Sequence, residues 1–165
     1  KAGETVLVMG VNGKVGQAAA QIAAWQGARV IGVVRKTEPY AGFSSAPVEI
    51  VDKSKGDVAT QVRDMTGGKG ADIVYNTVGD PYFQDAHKAL AILGRQILIA
   101  AIDKIVQFNI FEFYRGRHTY ALPAPAGPRS GTLVTNVVGH VANSARRTHG
   151  PRCFADGENL FRRGR

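Results

Sequence analysis

Cysteine is nearly absent from this 165-residue chain, and apolar runs long enough to span a membrane are absent altogether. The one cysteine, Cys153, cannot form an internal disulfide and has no second cysteine at zinc-ligand spacing. This argues against a disulfide-rich secreted scaffold and against a metal site. No apolar run approaches the roughly 20 residues that cross a bilayer, and the first residues lack a signal-peptide pattern. The sequence therefore predicts no membrane partner and a cytoplasmic location.

Three catalytic patterns are missing as well. No serine lies in a Gly-x-Ser-x-Gly turn, which argues against an α/β-hydrolase. No tyrosine is followed four residues later by the lysine that short-chain dehydrogenases carry. The histidines are scattered, without the i, i+4 spacing of a helical metal pair; they are His87, His118, His140 and His149. The sequence by itself therefore identifies no catalytic residue and predicts no metal.

The formal net charge of +8 raises the question of nucleic-acid binding, because clustered Lys and Arg release counterions from a phosphate backbone. Most of the excess lies after residue 122, where seven arginines accompany only two acidic residues. These arginines lie mostly among Gly, Pro, Ser and Thr, with only two aromatic residues, Phe154 and Phe161, in the segment. A specific nucleic-acid partner is therefore not expected, and a basic nucleic-acid binder acting through residues 123–165 stays an alternative.

Short apolar runs rich in β-branched residues alternate with segments of helical period up to residue 122. The predicted strands are residues 5–9, 29–34, 48–51, 73–77, 96–100 and 118–122. The predicted helices are residues 15–25, 57–65, 82–93 and 110–114. Strands alternating with helices imply a parallel sheet with right-handed crossovers. We therefore predict a single α/β domain over residues 1–122, with a Rossmann-type doubly wound sheet.

A glycine-rich turn lies between the first predicted strand and the first predicted helix. Glycine there lets the backbone approach a pyrophosphate, which the unpaired N-terminal amides of the helix attract. The predicted cofactor-binding residues of this turn are Gly10, Asn12, Gly13, Lys14, Val15 and Gly16. The alternative is a tight strand-to-helix turn that holds no ligand.

The end of the second predicted strand bears on the choice of cofactor. An acidic residue at this place binds the ribose 2′-hydroxyl of NAD, whereas a cation accommodates the 2′-phosphate of NADP. Here Arg35 and Lys36 follow the strand, one offering a planar fork and the other a point charge. The sequence therefore favours NADPH over NADH, the alternative being two solvated loop cations.

Two segments resemble a known family: residues 1–16, and residues 66–79, which read Thr-Gly-Gly-Lys-Gly-Ala-Asp-Ile-Val-Tyr-Asn-Thr-Val-Gly. They are similar to the cofactor-binding domain of medium-chain dehydrogenase/reductases, in the quinone oxidoreductase-like branch that includes zeta-crystallin. The resemblance covers about residues 1–122 and implies that residues 12–15 hold the pyrophosphate. It further assigns Asn76, Thr77, Val78 and Gly79 to the cofactor surface, and Ala100, Ala101 and Ile102 to the neighbourhood of the nicotinamide. Ordinary strand-end turns are the alternative for these segments.

The resemblance implies an NADPH-dependent oxidoreductase that transfers hydride, without a metal, to a quinone or a conjugated carbonyl compound. Family members carry a catalytic domain ahead of this region, so we expect the chain alone to bind NADPH but to turn over little substrate. A non-catalytic nucleotide-binding or sensor module is the alternative. Exposed apolar faces and sheet edges also predict self-association, either as a homodimer or as an aggregate.

Residues 123–165 depart from the family pattern. Proline and glycine interrupt this segment, and only residues 132–141 keep an apolar period. We predict an atypical tail, poorly structured over most of residues 142–165. Its lysine-free, Arg-, Pro- and Gly-rich composition suggests the hypothesis of an out-of-frame or otherwise aberrant end, which a search of the other two reading frames for the family's ending would test.

Overall fold

The computed structural model describes residues 1–103 and 105–122. The strands are β1 (Thr5–Met9), β2 (Arg29–Val34), β3 (Val48–Asp52), β4 (Ala71–Asn76), β5 (Leu90–Leu98) and β6 (Thr119–Ala121). The helices are α1 (Lys14–Trp25), α2 (Val58–Met65), α3 (Phe83–Lys88) and α4 (Ile110–Gly116), with single 3₁₀ turns at Lys53–Lys55 and Asp80–Tyr82. The tail predicted over residues 123–165 lies outside the described residues.

The six strands form one parallel sheet in the order β3-β2-β1-β4-β5-β6. This is the strand order of a Rossmann fold, and it confirms the predicted doubly wound α/β architecture. The direction of winding reverses between β1 and β4. In folds of this kind, ligands bind outside the carboxyl ends of the strands at that reversal.

Helices cover both faces of the sheet. Because side chains alternate along a strand, neighbouring residues of β1 and β2 lie on opposite faces. Leu7 and Ile31 join a buried cluster with α2 and α3, whereas Val6 and Val30 join a second cluster with α1. The central strands are therefore buried on both sides, which explains their uninterrupted apolar sequences.

The predicted helix over residues 82–93 is wrong in its second half. Helix α3 ends at Lys88, and β5 begins at Leu90, earlier than the predicted strand. The amide N–H of Ala71 donates to the carbonyl of Ala89 at 2.8 Å, and Leu90 pairs with Ala71 across the strands. A break in register follows, where Leu93 has a positive φ of 63°. Pairing with β4 thus overrides an apolar run that fits a helix or a strand equally well.

Transmembrane spans are absent from the described residues. The longest described helix, α1, has 12 residues, and a span needs about 20.

Candidate dinucleotide-binding site

The carboxyl ends of β1, β2 and β4 meet around a cavity of about 610 Å³. Six of the predicted site residues line this cavity: Gly10, Asn12, Gly13, Arg35, Thr77 and Val78. The other nine predicted residues do not line this cavity: Lys14, Val15, Gly16, Lys36, Asn76, Gly79, Ala100, Ala101 and Ile102. The structure therefore gathers the glycine turn, the cation after β2 and the turn after β4 at one crevice.

The glycine turn is shaped by close contacts that leave no space for side chains. Gly10 has a φ of +69°, and a Cβ atom there would lie 2.9 Å from Cγ2 of Val78. A Cβ atom on Gly16 would lie 2.3 Å from the carbonyl oxygen of Gly10. Because of these contacts, the first turn of α1 packs directly on the backbone of the glycine turn.

The N-terminus of α1 offers unpaired amide groups. Gly13 is the N-cap residue and has an extended backbone conformation, and no side chain caps the helix. The first helical hydrogen bond runs from the amide of Gln17 to the carbonyl of Gly13, at 2.8 Å. Within residues 1–103 and 105–122, the amide N–H groups of Lys14, Val15 and Gly16 have no acceptor. Unpaired amides at the positive end of a helix form a binding site for a phosphate group.

Asn12 uses its side chain to hold the loop that follows β2. Its Nδ2 donates to the carbonyl of Pro39 at 3.0 Å, and its Oδ1 accepts from the amide of Ala41 at 2.9 Å. The side chain is therefore engaged inside the protein. Any contact between Asn12 and a pyrophosphate would come from its backbone.

Asn76 and Thr77 organise the turn after β4. The side chain of Asn76 is fully buried: its Nδ2 donates to the carbonyl of Gly79 at 2.8 Å, and its Oδ1 accepts from the amides of Val78 and Gly79 at 3.1 and 2.8 Å. The hydroxyl of Thr77 donates to the carbonyl of Met9 at 2.6 Å and so joins the ends of β4 and β1. These two polar groups shape the crevice from inside the protein.

Asp80 connects the turn after β4 to the segment after β5. Its Oδ1 accepts from the amides of Ile102 and Asp103, at 2.5 and 3.0 Å. The amide of Ile102, followed by that of Asp103, holds the pKa of Asp80 below its usual range. Asp80 was missed from the sequence because both of the amides that it binds lie more than twenty positions later in the chain. Through this link, residues 100–102 lie beside Gly79.

The loop after β2 carries charges of both signs. Arg35 and Glu38 both line the cavity, and Lys36 is exposed beside them. Glu38 was missed from the sequence because it comes three residues after Arg35 rather than at the strand end. The cavity therefore offers a cation for a 2′-phosphate and also a carboxylate that could accept from a ribose hydroxyl.

Asp52 at the end of β3 tethers this loop. It accepts hydrogen bonds from the hydroxyl of Thr37 and from the amide and hydroxyl of Ser54, the last two at 2.8 and 2.6 Å. The hydrogen bond from the hydroxyl of Ser54 lowers the pKa of Asp52 most, followed by the hydrogen bond from the hydroxyl of Thr37. Asp52 therefore stays ionised and holds Thr37, which lies between Arg35 and Glu38 in the chain.

Residues 15–122 match the sequence model of a family described as zinc-binding dehydrogenase. The chain belongs to the medium-chain dehydrogenase/reductase family, and the matched region is the nucleotide-binding part of its fold. The resemblance inferred from the two glycine-containing segments is thereby confirmed. Within the described residues, no cluster of three or more His, Cys, Asp or Glu side chains could hold a metal ion.

The proteins similar to this chain include a reductase and an oxidoreductase by name. The chain is 32% identical over 108 residues to an acryloyl-coenzyme A reductase of Metallosphaera sedula, covering 66% of this chain and 31% of the reductase. It also resembles a solved quinone oxidoreductase of Pseudomonas syringae, with 28% identity and a TM-score of 0.62, over 76% of this chain and 39% of that one. This chain thus spans about a third of the curated reductase.

Two further solved structures differ in the cofactor that is named for them. A mycobacterial protein complexed with NADPH is 27% identical with a TM-score of 0.62, over 75% of this chain and 40% of that one. An NAD-dependent alcohol dehydrogenase is 29% identical with a TM-score of 0.65, over 74% of this chain and 36% of that one. The solved structures similar to this chain therefore include one complexed with NADPH and one named as NAD-dependent.

Proposed function

We propose that this chain is the NADPH-binding domain of a zinc-independent oxidoreductase that reduces a quinone or a conjugated carbonyl compound. The observation that carries the proposal is the set of unpaired amides at the start of α1, next to a crevice that Arg35 lines. The similarity to a quinone oxidoreductase and to an acryloyl-coenzyme A reductase supports the substrate class.

Each part of the crevice has a distinct share in holding the cofactor. The amides of Lys14, Val15 and Gly16 hold the pyrophosphate, and Arg35 with Lys36 holds the 2′-phosphate. The segments 76–79 and 100–102 form the wall along the nicotinamide end. NADPH, when bound, supplies the hydride that reduces the substrate, and the protein contributes orientation and electrostatics.

Removal of the guanidinium of Arg35 is expected to weaken NADPH binding selectively. A charge-assisted hydrogen bond to the 2′-phosphate is lost in Arg35→Ala, so the Kd for NADPH should rise by about 10- to 100-fold. The Kd for NADH should change by less than about threefold, because that cofactor has only a hydroxyl at this place. Isothermal titration calorimetry of the full chain with both cofactors measures these changes.

Arg29→Ala is the matched control. Arg29 is the first residue of β2 and is exposed, and its Nε lies 2.6 Å from Oε1 of Glu49. This change therefore removes an arginine from the opposite end of the strand that Arg35 follows. Its NADPH affinity should equal that of the unmodified chain. Equal losses for NADPH and NADH in Arg35→Ala, or no binding of either cofactor to the unmodified chain, would contradict the proposal.

Neutralising Glu38 is expected to shift the preference further toward NADPH. The carboxylate lines the same cavity as Arg35 and repels a 2′-phosphate, so Glu38→Gln should tighten NADPH binding by about two- to fivefold, the range of an exposed charge interaction. NADH binding should stay the same or weaken, since an acceptor for the ribose hydroxyl is altered. The same calorimetry gives the NADPH to NADH affinity ratio, and an unchanged ratio would show that Glu38 does not face the ribose.

A further inference from the structure

A second cavity, of about 800 Å³, lies at the opposite edge of the sheet from the dinucleotide crevice. Three of its lining residues lie one or two positions before the start of a strand: Lys69 before β4, Lys88 before β5 and His118 before β6. Helices α2 and α4 contribute other walls, through Arg63 and Glu112 among others. Within the described part of the chain, the two cavities share no lining residue.

His87 presents an unsatisfied hydrogen-bonding atom to this cavity. The residue is 2% exposed and lines the cavity, and its Nδ1 lies 2.7 Å from the hydroxyl of Tyr120. Burial raises the pKa of Tyr120, so the phenol keeps its proton. Nδ1 of His87 is the only hydrogen-bond partner of this hydroxyl among the described residues, so we assign the phenol as the donor to Nδ1. The hydrogen of the neutral imidazole is then on Nε2. That Nε2 is buried and has no hydrogen-bond partner among residues 1–103 and 105–122.

Glu112 shows which chemical group suits this nitrogen. One of its carboxylate oxygens lies 3.6 Å from Nε2 of His87, which is beyond hydrogen-bond distance, and its side chain is 51% exposed. Burial lowers the pKa of His87, so the imidazole is a neutral donor and Glu112 does not form a full ion pair with it. Glu112 therefore leaves the buried donor without a hydrogen bond, and an acceptor oxygen from outside the chain that displaces Glu112 can bond to it.

The charges around the cavity favour an anion. Lys88 and Arg115 are exposed cations on its wall, and neither forms an ion pair with a described residue. Arg63 adds positive charge, although its guanidinium donates to the carbonyls of Gly68, Lys88 and Leu90. Of the two acidic residues on the wall, Asp57 is occupied as the N-cap of α2, where it accepts from the amide of Thr60 at 2.8 Å.

Apolar side chains complete the lining. Leu90, Ala91 and Ile92 contribute one wall, and Phe111 contributes another. We propose that this cavity is a second binding site, which takes a small organic carboxylate with an apolar body and bonds one carboxylate oxygen to Nε2 of His87. The apolar part of the ligand contacts the first residues of β5 and Phe111, while Arg115 and Lys88 neutralise its charge. The ligand carboxylate replaces that of Glu112 near the imidazole.

Benzoate is the probe that tests this site. In NMR titrations of the full ¹⁵N-labelled chain, benzoate should shift the His87 ring nitrogen and the amides of residues 90–92 in a saturable way. Benzamide, which has the same shape without the charge, should bind about tenfold more weakly or worse, as expected for loss of a charge-assisted hydrogen bond. Inorganic phosphate is titrated separately.

Two exposed residues with opposite charges provide the decisive variants. Glu112→Gln should tighten benzoate binding and Arg115→Ala should weaken it, each by about two- to fivefold, the range of an exposed ion pair. Arg29→Ala, distant from this cavity, should leave the affinity unchanged. The proposal is overturned by the absence of a saturable shift, by shifts outside the cavity alone, by equal binding of benzamide, or by saturation with phosphate but not with benzoate.

Discussion

Gly16→Ala is expected to destabilise the domain by about 3 kcal/mol or more and to weaken NADPH binding at least tenfold. The added methyl group would lie 2.3 Å from the carbonyl oxygen of Gly10 and 2.9 Å from the backbone of Val11, so α1 must move away from the glycine turn. That movement displaces the amides proposed to bind the pyrophosphate. Urea unfolding measures the first effect and calorimetry with NADPH the second.

The sign of this effect separates packing from helix propensity. Alanine inside a helix is normally about 1 kcal/mol more favourable than glycine, so propensity alone predicts a more stable variant. Ala18→Gln is the control, because it adds more atoms on an exposed position of the same helix and should change stability by less than about 0.5 kcal/mol. A stabilised Gly16→Ala variant with unchanged NADPH affinity would refute the close contact between α1 and the turn.

Asn76→Leu is the second change with a large expected effect. Leucine has a similar size but removes three hydrogen bonds to the backbone of Val78 and Gly79. Buried polar groups left without partners cost about 1–3 kcal/mol each, so the free energy of unfolding should fall by about 3 kcal/mol or more. NADPH affinity should also fall, because Thr77 and Val78, which line the crevice, lose their support.

Asn76→Asp tests the individual hydrogen bonds. The carboxylate keeps an acceptor for the amides of Val78 and Gly79 but cannot donate to the carbonyl of Gly79, which lies 2.8 Å from Nδ2 in the native chain. This variant should therefore be less stable than the native chain at neutral pH and recover part of the difference when the carboxyl group is protonated. If Asn76→Leu and Asn76→Asp both have the same midpoint of urea unfolding as the native chain, Asn76 does not support the turn.

The first strand, the glycine turn and the first helix were predictable because each has a local signal. The apolar run of residues 5–9 forms β1 as predicted, and the helical period from residue 15 belongs to α1, which begins at Lys14. Gly16 lies at the point where the helix meets the turn, which is where glycine allows the closest approach. In such segments, the conformational preference of each residue agrees with the fold around it.

The start of β5 was not predictable from the same kind of signal. Leu90, Ala91 and Ile92 continue the apolar pattern of α3, and that pattern is too short to distinguish a helix from a strand. The choice depends on Ala71, whose amide bonds the carbonyl of Ala89 from the neighbouring strand. A partner almost twenty positions earlier in the chain therefore decides where the helix ends.

The same limit applies to the site residues that the sequence did not identify. Glu38, Asp52 and Asp80 are ordinary acidic residues in their local contexts. Asp52 gains its role by accepting from Thr37, and Asp80 by accepting from the backbone of Ile102 and Asp103. These contacts join segments 15 to 23 residues apart, which no local pattern reports.

The sequence itself determined the order of strands and helices, the glycine turn and the cations after β2. Each of these depends on residues that are close together in the chain: on the period of the apolar residues, on the conformational freedom of glycine and on side-chain charge. Only the tertiary structure decided which side chains form hydrogen bonds within the protein, as those of Asn12 and Asn76 do. It also decided that Nε2 of His87 has no hydrogen-bond partner among the described residues. The reason is that a hydrogen bond requires two groups within about 3 Å, and the folding of distant segments onto one another sets that distance.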